Sequence, residues 1–332
     1  MIELLGQPLT AALLGGLGGV LLGLAARLGR FCTLGAIEDL LYGGSSHRMR
    51  MWGLAIGVAM LGSFTLGGLG LINIDRAFHL TIAFSWTPAI FGGLIFGYGM
   101  ALAGTCGFGA LARLGGGDLR AFVIVLVMGL TAFAVLSGPL APARVFLFPR
   151  QLNAGPPDGI AHALALMLSA RSFRRDFRMV FWSVIAGLAI VSGWAGTAWL
   201  AQTGFGTQTL MSHSYAAPVG ETLLYAMQGS VRPLSFGIGS VSGVWVGAFL
   251  GSLWQGHFRW EACEDPRELR RQIFGAGLMG AGAVLAMGCT IGQGISAISV
   301  LAFSGPVTLA SIFAGAAIGL RQLIVGFRNN PI

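Results

Sequence analysis

Three cysteines in this chain occupy settings that repeat. Cys32 lies in Gly29-Arg-Phe-Cys-Thr-Leu-Gly35, Cys106 in Gly104-Thr-Cys-Gly-Phe-Gly109, and Cys289 in Gly288-Cys-Thr-Ile-Gly-Gln-Gly294. Each has a threonine beside it (Thr33, Thr105 or Thr290) and glycines within a few residues. Each falls where an apolar run breaks. A thiol free of perturbing charge ionises near pH ~8.5, so around neutral pH these groups are S–H: soft, uncharged and weakly donating. Such a lining can hand on a sulfur-bearing anion without gripping it. An arginine would grip it, and at a bilayer centre costs about 2.5–3.5 kcal/mol on the insertion scale. The three threonines, Gln293 and Ser296 add neutral polar groups. Arg30, two residues before Cys32, is placed either to draw an anion to a mouth or to fix topology. A lone cysteine in a membrane helix is ordinarily a small hydrophobe; three in matched settings point to a shared task. Cys263, in the polar stretch Trp260-Glu-Ala-Cys-Glu-Asp265, shares none of this and receives no role.

Two of the three settings belong to a longer echo. Phe91-Gly92, Gly97, Gly99, Leu102, Ala103, Cys106 and Gly109 recur 183 positions later as Phe274-Gly275, Gly280, Gly282, Leu285, Ala286, Cys289 and Gly292. Duplicated apolar segments broken at Gly-Cys loops are the signature of transporters with discontinuous helices. Clustered glycines weaken a helix and free backbone groups there. Glycines at every fourth position, as in Gly239, Gly243, Gly247 and Gly251, let helix backbones approach closely in lipid.

The elements that must hold these residues follow from composition. The chain has 332 residues, 55% hydrophobic and only 10% charged, with a mean hydropathy of +0.78. Soluble domains carry about 25% charged residues, so this is an all-α integral membrane protein. Apolar runs lie near 9–28, 51–72, 86–105, 121–138, 180–200, 235–254, 273–288 and 306–325, with a shorter candidate at 158–170. All twenty basic residues are arginine, and the net charge is +8. Clusters around Arg48–Arg50, Arg113–Arg120, Arg171–Arg178, Arg259–Arg271 and Arg321–Arg328 fall on one side only if 158–170 also crosses. That gives about nine crossings in a bacterial inner membrane, N-terminus periplasmic and C-terminus cytoplasmic. The duplicated segments then run in opposite directions, as inverted repeats whose Cys-Gly loops enter as broken, re-entrant helices. One transporter domain spans 1–332, its halves near 1–150 and 175–332 joined by 151–174.

Several functions drop out. Without lysine there is no Schiff-base chemistry and no phosphate-binding Gly-Lys-Ser/Thr loop. No Cys-x-x-Cys pair marks a metal, cluster or redox site, so no catalytic residue, metal or cofactor is assigned. The arginines sit in short inter-helix clusters, which fits topology and lipid contact rather than nucleic acid.

The three motifs resemble those of the YeeE/YedE family of bacterial sulfur transporters, the thiosulfate uptake proteins. The settings Arg-Phe-Cys, Gly-x-Cys-x-x-Gly and Gly-Cys-x-x-Gly-x-Gly match at Cys32, Cys106 and Cys289, and the resemblance spans nearly the whole chain. It implies an hourglass-shaped helical permease that passes thiosulfate along Cys32, Cys106 and Cys289, supplying sulfur for cysteine synthesis. Arg30, Thr33, Thr105, Thr290 and Gln293 are weaker candidates for substrate contact. It also implies a small cytoplasmic partner resembling the TusA sulfurtransferases. The alternatives are another sulfur or selenium substrate, or a membrane sulfur-trafficking or thiol-redox protein.

Overall fold

Apolar runs long enough to span a bilayer become helices, and short polar residues or prolines start them. In the computed structural model, which describes residues 6–82, 84–147, 176–204, 209–262 and 265–324, these are α1 (Gln7–Leu28), α2 (Thr33–Leu41), α3 (His47–Gly68), the single turn α4 (Phe78–Thr81), α5 (Trp86–Ala103), α6 (Gly107–Gly115), α7 (Leu119–Leu136), α8 (Ala141–Leu147), α9 (Phe177–Thr203), α10 (Ala217–Gln228), α11 (Phe236–Trp254), α12 (Pro266–Leu285) and α13 (Ser304–Ile324). A π-helix, Gly292–Ala297, lies between the last two. The side chains of Asp118, Asp176, Ser235 and Asp265 each accept a first-turn backbone N–H, of Arg120, Met179, Ile238 and Arg267. These caps satisfy donors that a helix start leaves open.

Seven stretches are long and apolar enough to cross a membrane: Gln7–Leu41, His47–Gly68, Trp86–Gly115, Leu119–Leu136, Phe177–Thr203, Phe236–Trp254 and Ser304–Ile324. Leu17, Leu61, Phe91, Leu130, Phe274 and Ile318 point outward and are exposed, a surface suited to lipid and not to water. The chain is a multi-pass membrane protein. The run expected at 273–288 falls within α12 and the break that follows it. That helix opens on Arg267, Glu268, Arg270 and Arg271 and so stands outside the apolar seven, yet it packs against both α5 and α7. The short run at 158–170 and Cys263 lie outside the described residues.

Missing side chains set the packing. A methyl placed on Gly97 of α5 would sit 2.0 Å from the Ile312 carbonyl oxygen of α13, and one on Gly315 would sit 2.2 Å from that of Leu94. Gly15, Gly19 and Gly23 of α1 receive the carbonyls of Phe236, Ser240 and Val244, while Gly239, Gly243 and Gly247 of α11 receive those of Ala12, Gly16 and Val20. The constant stagger makes α1 and α11 parallel. α5 and α12 instead run antiparallel: Gly92 meets Gly282, and Gly99 meets Gly275. The 183-residue offset of the sequence echo exchanges these two contacts.

Candidate functional site

Each of the three described cysteines sits at a helix break built the same way. A long helix ends, one residue turns left-handed, one more follows, and the cysteine then starts a short helix. After α1 the left-handed residue is Arg30 (φ 56°), after α5 it is Gly104 (φ 71°), and after α12 it is Met287 (φ 54°). Cys32 and Cys106 are the N-caps of α2 and α6, and Cys289 immediately precedes the helical turn that runs into the π-helix. Glycine adopts the left-handed region freely; for other residues it costs about 1–2 kcal/mol. The Cys106 sulfur takes the Gly109 N–H at 3.3 Å. The Cys289 sulfur takes N–H groups from Gly292 at 3.5 Å and from Tyr215 at 3.3 Å. Two thiols therefore stand where helix N-termini direct backbone donors.

The breaks converge: Cys32 and Thr105 line one cavity, and the ring of Phe108, two residues after Cys106, packs against Tyr215, whose N–H meets the Cys289 sulfur. The buried Thr290 hydroxyl has no hydrogen-bond partner among the described residues. Cys106 and Cys289 are buried, Cys32 half-buried, and all three are free thiols. The Phe108 and Tyr215 rings pack 5.3 Å apart beside them. On one side of this plug is a polar cavity of about 600 Å³ lined by Cys32, Thr105 and Arg30, with Arg27, Arg48, Arg113 and Arg178. On the other is a cavity of about 90 Å³ lined by Met287, Gln293, His79 and the rings of Phe78, Phe84 and Phe303. The start of α3 lines the first cavity, and the segment that follows its far end lines the second, so the cavities lie toward opposite ends of the bundle.

The family described as Sulphur transport matches this chain over residues 28–168 and 160–318. The chain belongs to the Sulphur transport family. Membership makes it a transport protein and not an enzyme. It is 25% identical over 339 residues to the thiosulfate transporter TsuA of Escherichia coli (strain K12), across 90% of each chain. To the thiosulfate transporter TsuA of Spirochaeta thermophila it is 27% identical over 323 residues, covering 89% of this chain and 93% of the relative. To the probable transporter YedE of Salmonella typhimurium it is 29% identical over 157 residues, 46% of this chain and 37% of that protein.

The remaining candidates in this Sulphur transport chain divide by position. Thr105 donates to the Cys106 carbonyl at 3.3 Å and borders the large cavity. Gln293 donates its amide to the carbonyls of Ala286 and Met287, at 3.1 and 3.0 Å, while its buried Oε1 has no partner among the described residues. Thr33 borders neither mouth. It lines a third, apolar cavity of about 500 Å³ with Trp52, Ile298 and Phe313, between α2, α3 and α13.

A fourth break, between α9 and α10, carries no cysteine. The offset that carries Cys106 onto Cys289 carries Cys32 onto Tyr215. The Tyr215 hydroxyl accepts from Ser240, whose oxygen is 2.6 Å from His213 Nδ1. Ser296 donates to the His213 carbonyl at 2.8 Å. The polar run Ser212-His-Ser-Tyr215 in an otherwise apolar chain is the sequence signal for this network.

Proposed function

We propose that this chain is a permease for thiosulfate, which passes along Cys32, Cys106 and Cys289. The observation that carries the reading is the convergence of three free thiols, on three like-built helix breaks, between two cavities at opposite ends of the bundle. Helix N-termini favour an anion, and the thiols offer S–H donors to oxygen or sulfur without a fixed charge that would hold a dianion. Thr290 and Gln293, each with a buried oxygen that has no partner among the described residues, stand beside the path. The two TsuA relatives, thiosulfate transporters matched across about nine-tenths of each chain, support the substrate.

The same reading places the protein in a bacterial inner membrane. The arginine-rich cavity is the cytoplasmic mouth, following the positive-inside bias, with the N-terminus periplasmic and the C-terminus cytoplasmic. α7 and α9 both start at the arginine end, so the reading needs nine crossings, the one at 158–170 included. The exchange of the Gly92–Gly282 and Gly99–Gly275 contacts under the repeat offset supports inverted repeats. Thiosulfate released at Cys32 would feed cysteine synthesis, handed to a small TusA-like sulfurtransferase.

Growth tests this. A bacterium lacking its own thiosulfate and sulfate importers is given thiosulfate as sole sulfur source. The native chain restores growth, and Cys32→Ala, Cys106→Ala and Cys289→Ala each abolish or strongly reduce it at equal membrane abundance. Full growth with the triple variant would sink the thiol path.

A further inference from the structure

Five arginines from four separate helix ends and one break surround the larger cavity. Four are anchored. Arg27 donates to the Ser252 hydroxyl at 2.6 Å, and Arg113 to the Gly104 carbonyl at 2.9 Å. Arg178 donates twice to the Leu28 carbonyl, at 3.2 and 2.6 Å, and Arg48 pairs with Asp39 at 3.2 Å. Among the described residues, Arg30 alone of the five makes no hydrogen bond or ion pair. It is exposed to the cavity, and it holds the left-handed backbone conformation that glycine fills at the matching position of the second break, Gly104. A strained residue kept where glycine would be relaxed points to a task for its side chain. The one carboxylate lining this cavity is Glu38.

We propose that this vestibule is an oxyanion site in its own right, filled from the Cys32 side by tetrahedral dianions of the sulfate class, with Arg30 as its principal ligand. A guanidinium meets such an anion through two parallel N–H donors. The anchored arginines have already lost much of their side-chain freedom, which lowers the entropy cost of holding a ligand. Their summed field concentrates anions in the cleft. Sulfate carries the charge and oxygens of thiosulfate but no terminal sulfur for the thiols to receive. It enters the vestibule, cannot continue, and slows release of the transported anion. This second, regulatory step rests on the transport reading; the binding step does not.

Radiolabelled sulfate and the full-length protein in detergent test the site. Native protein binds sulfate saturably and Arg30→Gly loses it. That variant keeps, and eases, the backbone conformation, so it folds. Arg321→Gln, an equal change of charge at an exposed position outside the cavity, leaves binding unchanged. Absence of saturable binding, or equal binding by Arg30→Gly, overturns the proposal. In vesicles, sulfate trapped on the Cys32 side slows thiosulfate flux through the native chain severalfold and leaves Arg30→Gly unaffected. Undiminished flux with proven binding removes the regulatory step. Sulfate binding in a protein that moves no thiosulfate leaves the site standing and removes the transport reading instead.

Discussion

Replacing Gly97 by alanine puts one methyl group against the α5–α13 contact. The added carbon would sit 2.0 Å from the Ile312 carbonyl oxygen and 2.8 Å from the Ala316 nitrogen. Both are backbone atoms of a helix, so no side chain can turn aside. The contact must open by about 1 Å before the oxygen clears 3.0 Å, and overpacking of this kind costs about 1–3 kcal/mol. The damage does not stay local. α5 leads into Gly104 and Cys106, and α13 follows the π-helix that carries Gln293. Separating them draws Cys106 away from Thr290 and Cys289. Thermal unfolding in detergent should therefore begin at lower temperature, and thiosulfate uptake should fall well below the native rate at matched abundance. Gly280→Ala, which meets Thr131 Oγ1 at 2.2 Å and the Met128 carbonyl at 2.5 Å in the corresponding contact of α12 with α7, should do the same. Gly68→Ala, with nothing within 4 Å, should be neutral or stabilise by about 0.5–1 kcal/mol. Native uptake and stability in Gly97→Ala would refute the backbone-to-backbone packing.

Three other outcomes are expected. Gly104→Ala meets open space, so its cost is conformational alone, about 1–2 kcal/mol by thermal or denaturant unfolding, and Gly104→Asn should recover part of it. Ser240→Ala leaves buried polar atoms of His213 and Tyr215 without their partner; a loss of about 1–3 kcal/mol in thermal unfolding is expected, with faster alkylation of Cys289, whose sulfur takes the Tyr215 N–H, as the check that the break has loosened. Single cysteines placed at Arg50 and Arg270 should react with an impermeant maleimide from the same side of the membrane, and labelling from opposite sides would break the proposed topology.

Much of the scaffold was legible because apolarity and length are local properties. All eight long runs read from composition correspond to helices, although α3 starts at His47, four residues before its apolar run, because a charged first turn is still helical. The cysteine settings were visible as motifs, and Gly104 announced its left-handed turn. Arg30 and Met287 adopt the same turn with no such signature, since tertiary packing and not residue type imposes it. The vestibule arginines belong to different elements, so no spacing in the chain assembles them. Consecutive residues at a helix start point about 100° apart, which is why Thr33 faces the apolar cavity while Cys32 faces the vestibule. Tyr215 carries no cysteine motif; the polar run Ser212–Tyr215 marks the spot, and the repeat offset brings it into line with Cys32.

The glycine contacts also bear on how such a protein can move. α1 meshes with α11, α3 with α9, α5 with α12 and α13, and α7 with α12. In every pair, one helix comes from the first half of the chain and the other from the second. The halves are threaded through one another like the fingers of two clasped hands. A cycle that tilted one half as a rigid body against the other would have to lift each carbonyl out of the notch it occupies, along several helices at once. What the clasp leaves able to turn are side chains at the mouths, the exposed Arg30 among them. Side-chain turns of this kind are quick compared with domain motions, so on the proposed path an anion would pass through a frame that stays still.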